Sequence, residues 1–268
     1  MKLSITVYSL RDYILKTGVT VPQFIEIAAR LGAEGVDLGY YWRDKEEKEQ
    51  AKKRLRETGL ELAIYITSND FVKPEGERRV EVEKVKASVL EAKEMDASKL
   101  RIFAGDLKPG IDATVAESWV IESLTEVSDF AADEGIILAM ENHGRYFSRI
   151  DVVERILKAV NSPSLRLTFD TGNFSLAEDN PLIAADRLGT WVSHVHAKDI
   201  DVWGKPCAPG EGALDFESIT MKLKAKGYDE FLSVEYEGTR DQLVGVGIGI
   251  GYLRGLLLKL QLFNKKLL

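Results

Sequence analysis

The stretch Val192-Ser193-His194-Val195-His196-Ala197-Lys198-Asp199 opens as a β-strand and closes in polar chemistry. Side chains alternate across a strand, so His194 and His196 share a face, and Lys198 follows them on it. Val192 and Val195 are β-branched and favour the strand. The chain has only three histidines, and two of them stand here. An apolar strand that ends in His-x-Lys-Asp is not ordinary core, and its neighbours on both sides repeat the pattern.

Working outward, three more strand-like runs end in a carboxylate. Ile136–Met140 is apolar throughout, as a parallel strand covered on both faces must be, and runs into Glu141-Asn142-His143-Gly144. Leu165–Phe169 runs into Asp170-Thr171-Gly172-Asn173, and Phe231–Val234 into Glu235-Tyr236-Glu237-Gly238. Further strands are expected at Leu3–Ser9, Gly35–Gly39, Leu62–Thr67 and Leu100–Ala104. Most are followed by apolar residues at helical spacing, such as Val21, Phe24, Ile25, Ala28 and Leu31, or Val120, Leu124, Val127 and Ala131. Thr20 and Pro22 mark one helix start, and Gly32 and Gly59 mark helix ends. Helices are also expected near Asp44–Thr58, Pro181–Leu188 and Phe216–Ala225. The last segment conflicts with itself. Thr239-Arg240-Asp241-Gln242 reads as a capping box, yet Gly245, Gly247, Gly249 and Gly251 alternate with apolar residues. A helix is expected, its glycines allowing close packing.

Eight strand–helix units of about 30 residues predict one α/β domain over residues 1–268, a single (β/α)8 TIM barrel. A doubly wound dinucleotide fold would show G-x-G-x-x-G after an early strand; Leu10-Arg11-Asp12-Tyr13 stands there instead. The composition is that of a chain with a sizeable core: 45% hydrophobic and 29% charged residues. A net charge of −7 argues against nucleic acid as a partner. The single Cys207 excludes an internal disulfide and a cysteine-based zinc site. The apolar run Leu243–Leu253 is too short for the ~20 helical residues that cross a bilayer. With no leader-like N-terminal segment, a cytoplasmic protein without membrane association is expected.

The barrel turns sequence separations of 29, 26 and 39 positions into proximity, because the C-terminal strand ends share one rim. Glu141, Asp170, His196 and Glu235 therefore converge. Three carboxylates together repel one another and raise one another's pKa values; a divalent cation resolves the conflict, and His196 adds a nitrogen ligand. Such a donor set suits Mn²⁺ first, with Mg²⁺, Co²⁺, Zn²⁺ or Fe²⁺ compatible. Each residue alone has a plainer reading, as a cap, an Asx turn or a buried hydrogen-bonded histidine, but the plain reading needs four coincidences on consecutive units. His143 and Lys198 share the inward face and are candidate substrate contacts. A salt bridge to Asp199 or a rim carboxylate is the competing reading for Lys198. Asp37 and Tyr8, at the ends of the first two strands, are lesser candidates; His194 reads as core or as support. Gly210-Glu211-Gly212 reads as a tight loop whose glycines serve the turn.

These motifs, with Tyr8-Ser9-Leu10-Arg11-Asp12 and Gly35-Val36-Asp37-Leu38, resemble the xylose isomerase-like barrel superfamily, within its sugar phosphate isomerase/epimerase group, over nearly the whole chain. The resemblance to ketose 3-epimerases implies one metal held by Glu141, Asp170, His196 and Glu235. It also implies that Glu141 and Glu235 are catalytic, moving protons through an enediolate. The sugar-gripping set departs: Asn173, Val202 and Phe147 stand where those epimerases have histidine, arginine and glutamate. The His-x-Lys-Asp ending is similar to that of inosose dehydratases. Endonuclease IV shares the fold, but its three-zinc site needs more histidines than this chain has. The resemblance thus implies a metal-dependent isomerase or epimerase acting on a small sugar-type substrate, with His143, Asn173 and Lys198 binding it. A dehydrating lyase and a non-catalytic sugar-binding barrel are the alternatives, and a homo-oligomer stays open by analogy with the fold.

Overall fold

The computed structural model describes residues 1–265. Its strands are β1 (Lys2–Thr6), β2 (Gly35–Gly39), β3 (Glu61–Ile66), β4 (Lys99–Phe103), β5 (Ile137–Glu141), β6 (Leu165–Asp170), β7 (Val192–Ala197), β8 (Asp199–Ile200), β9 (Pro206–Cys207) and β10 (Phe231–Val234). Among the described residues, eight of these close a barrel in the order β1-β10-β7-β6-β5-β4-β3-β2. The barrel pairings are all parallel. The fold is the single (β/α)8 barrel expected from the strand–helix alternation. β8 and β9 form a small antiparallel hairpin outside it.

The strands that carry the site match the sequence reading to within a residue or so, since parallel strands buried on both faces leave an unmistakable apolar run. The first strand does not. It ends at Thr6 rather than Ser9, because the Thr6 hydroxyl accepts from Tyr8 N and turns the chain into a 3-10 turn, Val7–Leu10. An unexpected helix follows, Arg11–Thr17, and a second, Thr171–Leu176, starts directly on β6.

Helix starts follow their caps. Thr20 and Gln23 form a reciprocal capping box ahead of Val21–Leu31, and Asp44 caps Lys45–Thr58. The C-terminal helix, Gln242–Lys265, forms as expected, but Asp241 rather than Thr239 caps it, its carboxylate accepting from Val244 N at 3.1 Å. Gln242 turns away to accept from Tyr13 N. Val246, Ile250 and Leu253 of this helix are buried. One stretch of it, Gln242–Leu262, is long and apolar enough to cross a membrane, with a mean hydropathy of 1.6. The uncharged run Leu243–Leu253 is only part of that stretch, which Arg254 and Lys259 interrupt.

Leu3, Ile5, Val36, Leu38, Leu100, Ile102, Leu138 and Met140 are buried on the strands. The alternate positions, also buried, are strongly polar: Ser4, Thr6, Asp37, Arg101, Thr168, His194 and Ser233. Asp37 on β2 touches histidines of β7, three strands away round the barrel with β1 and β10 between, so these contacts cross its interior.

Candidate metal centre

Glu141 ends β5, Asp170 ends β6, His196 lies near the end of β7, and Glu235 follows β10. These four strands are consecutive round the barrel, with the two glutamates on the outer members. All four side chains are buried. One ligand atom from each lies within 4.8 Å of the others. The structure brings together the four residues that the strand ends single out.

Local chemistry fixes each of them. Asp170 uses one oxygen to accept from Asn173 N at 2.7 Å, capping the short helix Thr171–Leu176, and its other oxygen, Oδ2, has no hydrogen-bond partner. Asn142 accepts from Asp170 N (2.8 Å) and donates to Asp170 O (3.0 Å), clamping β5 to β6 where the barrel opens. His196 Nδ1 lies 2.6 Å from Glu235 Oε2 and 3.3 Å from Glu141 Oε2, yet is aligned for a hydrogen bond with neither. Buried polar atoms without partners are rare. Here three such atoms belong to a cluster of three carboxylates and an imidazole: Asp170 Oδ2, which has only the Lys198 ammonium beside it, and His196 Nδ1 and Nε2. That donor set fits a divalent cation of the Mn²⁺ or Zn²⁺ type, so the residues present match the metal the fold family implies.

Lys198 is buried beside them. Its Nζ stands 3.2 Å from Asp170 Oδ2, 3.0 Å from Glu235 Oε1 and 3.4 Å from Glu237 Oε2, and donates to Asn173 Oδ1 at 3.1 Å. The rim-carboxylate reading of Lys198 therefore holds in geometry. The Asp199 alternative does not: Asp199 Oδ2 accepts from Gly210 N and Gly212 N, each at 2.9 Å. The glycine loop thus serves its own turn and cradles an internal carboxylate. Asn173 Nδ2 donates to Glu141 Oε1 (3.3 Å) and Asn142 O (3.0 Å). His143 packs its ring on Phe103, centroids 4.6 Å apart. With Arg145, Asn173, Lys198 and Glu237 it lines a cavity of about 690 Å³ at the mouth. Tyr8, by contrast, sits in the 3-10 turn under the Arg11 guanidinium.

Electrostatics follow from burial against pairing. Burial raises the Asp170 carboxyl to about 8, Glu235 and Glu141 pushing the same way and Lys198 opposing. Burial would raise Glu235 too, but Lys198 and His196 outweigh it and hold Glu235 well below the usual carboxylate range. Burial disfavours the His196 imidazolium, yet Glu235 and Glu141 overcome it and raise its pKa.

Sequence reasoning missed Arg101. It is buried on β4, its Nε 3.3 Å from Glu141 Oε2, its guanidinium 4.0 Å above the Phe103 ring. The available signal was a charged residue between Leu100 and Ile102 in an otherwise apolar strand.

A family model for the xylose isomerase-like TIM barrel matches residues 25–256. The chain belongs to this family. A human relative, "Putative hydroxypyruvate isomerase", is 25% identical over 84% of this chain and 87% of its own length. Inosose dehydratase of Clostridium beijerinckii is 26% identical, the match covering 45% of this chain and only 48% of the dehydratase. A solved structure of a D-tagatose 3-epimerase-like protein superposes with a TM-score of 0.79 over 97% of this chain and 100% of that one. At 19% identity, that likeness bears on the fold. The curated relatives thus include a putative hydroxypyruvate isomerase and an inosose dehydratase.

Proposed function

We propose that this protein is a divalent-metal-dependent isomerase or epimerase of a small, sugar-like polyhydroxy carbonyl compound. The observation that carries the reading is the pair of buried glutamates, Glu141 and Glu235, on the outer strands of the four-residue cluster, both facing His196 Nδ1. Shifting a carbonyl or inverting a centre beside it needs a proton removed from one carbon and returned to it or its neighbour. Two carboxylates flanking one binding position can do both.

Glu141, Asp170, His196 and Glu235 would hold the cation, which supplies Lewis acidity to a carbonyl oxygen and an adjacent hydroxyl. One glutamate takes the proton α to the carbonyl and the other returns one. A carboxylate already held far below its usual range is a weak base, so the acidified C–H must meet it part-way. Lys198 places a fixed positive charge beside Glu235 and Asp170, where oxygen charge develops. His143 and Asn173 orient hydroxyl groups. A cavity of about 690 Å³ suits one small ligand.

The test is product analysis in D₂O with Mn²⁺ across free and phosphorylated ketoses, aldoses and hydroxypyruvate. The expected outcome is an isomer carrying solvent deuterium at the carbon next to the carbonyl. Loss of water would assign the lyase chemistry of the dehydratase relatives instead, in which Lys198 would protonate the departing hydroxyl. No conversion, together with no bound metal on elemental analysis, would leave a binding barrel.

A further inference from the structure

Beneath the candidate metal ligands, Asp37 reaches across the barrel from β2 to two imidazoles of β7. Its Oδ2 accepts from His194 Nε2 at 2.9 Å and lies 3.2 Å from His196 Nε2. Asp37, His194 and His196 are all but wholly buried. The two rings meet edge to face, centroids 5.2 Å apart and planes at 87°. The His196 ring therefore has two distinct sides: Nε2 faces Asp37, and Nδ1 faces Glu141 and Glu235.

We propose that Asp37 is a positioning residue that fixes His196 as the Nε2–H tautomer, leaving the Nδ1 lone pair for the metal. An imidazole offers a lone pair at one nitrogen only while the other carries hydrogen, and the group facing that hydrogen decides which. With Glu141 and Glu235 engaged by a metal on the Nδ1 side, Asp37 Oδ2, 3.2 Å away, is the carboxylate left to hold a proton at Nε2, although the two atoms are not aligned for a hydrogen bond here. His194 donates to the same oxygen and holds it in place. Asp37, His194 and His196 also lie close enough together to suggest a second cation. That reading fails on proton count. Occupying both nitrogens of His196 would require an imidazolate, and the hydrogen bond from His194 to Asp37 would have to be broken. The trio is therefore a support under one metal rather than a second metal site.

This inference rests on the metal centre proposed above and not on the reaction. The full-length, metal-stripped protein is titrated with Mn²⁺ by calorimetry, and Asp37→Asn and His194→Gln are compared with it. The wild type is expected to bind one ion per chain. Asp37→Asn should weaken binding about 10- to 100-fold, while His194→Gln changes it less. Unchanged affinity in Asp37→Asn overturns the proposal. So do two ions per chain in the wild type, with one lost in Asp37→Asn. Should Asp37→Asn not fold, ¹⁵N-histidine NMR of the wild-type protein with Zn²⁺ decides the matter. A proton on His196 Nε2 supports the proposal, and one on Nδ1 ends it. If the wild type binds no divalent ion, the metal centre itself is wrong; if it binds one but converts no sugar, the role of Asp37 stands and only the reaction falls.

Discussion

Lys198 Nζ stands 3.0 Å from Glu235 Oε1, a buried ammonium set directly against one of the two proposed proton carriers. Burial works against the charge on Lys198, but its carboxyl neighbours Asp170 and Glu235 outweigh it, Glu235 supplying the negative charge while Asp170 holds a proton. In the proposed reaction, Lys198 would hold a fixed positive charge where negative charge develops on the substrate. Lys198→Met is expected to lower kcat by about 10²- to 10³-fold, the range for losing one preorganised electrostatic contact. Mn²⁺ binding should persist, because the four metal donors remain. Steady-state kinetics beside calorimetric titration separates the two effects, and loss of metal binding with turnover would make Lys198 a structural counter-ion.

Glu141→Gln and Glu235→Gln keep shape and remove the basic oxygen. Each should cut turnover by about 10²- to 10⁴-fold, as general acid–base groups do, while circular dichroism shows a folded barrel. If one variant still exchanges the substrate proton with D₂O and the other does not, the face of proton removal is assigned. Turnover near wild type in both would sink the two-glutamate mechanism.

The metal-free site is a proton store. The Asp170 carboxyl, raised by burial to about 8, binds a proton in the folded chain from about pH 4, its unfolded value, up to about pH 8. Its contribution to metal-free stability is complete below about pH 4 and is lost as pH rises through about 8. A cation must displace that proton, so a fixed Mn²⁺ concentration should raise the Tm more at pH 8 than at pH 6. At 100 times Kd the ion stabilises by about 2.7 kcal/mol. Scanning calorimetry with Mn²⁺ and with a chelator measures this, and an equal shift at both pH values would contradict it.

Four of the five glycines of the C-terminal helix, Gly245, Gly247, Gly249 and Gly251, divide in two. A methyl group on Gly245 would strike the Tyr236 ring, and one on Gly249 would come within 2.9 Å of Pro209. Gly247 and Gly251 have open space or ordinary contact. Gly245→Ala and Gly249→Ala should destabilise by about 1–3 kcal/mol through overpacking. Gly251→Ala should stabilise by up to about 1 kcal/mol through helix propensity. Chemical denaturation of the single variants reads both signs.

How much was legible in the sequence varies with the range of the interaction. The apolar runs before Glu141, Asp170 and Glu235 announce buried parallel strands, and the cap at Thr20 places a helix start, because both signals are local. The break after Thr6 was not legible: Val7 continues the strand pattern, and a single hydroxyl bond to Tyr8 N ends it. The capping of the last helix by Asp241 instead of Thr239 is a choice between neighbours that only packing makes.

The sequence by itself determined the alternation of strands and helices, and with it the rim on which Glu141, Asp170, His196 and Glu235 must meet. Only the tertiary structure decided what those residues touch. Arg101 against Glu141 and Lys198 among three carboxylates join neighbouring strands at the rim, and Asp37 reaches His194 and His196 across the barrel interior from three strands away. Their separations along the chain carry no periodic signal, because a closed sheet sets which side chains face one another by its curvature and register, and not by their spacing in sequence.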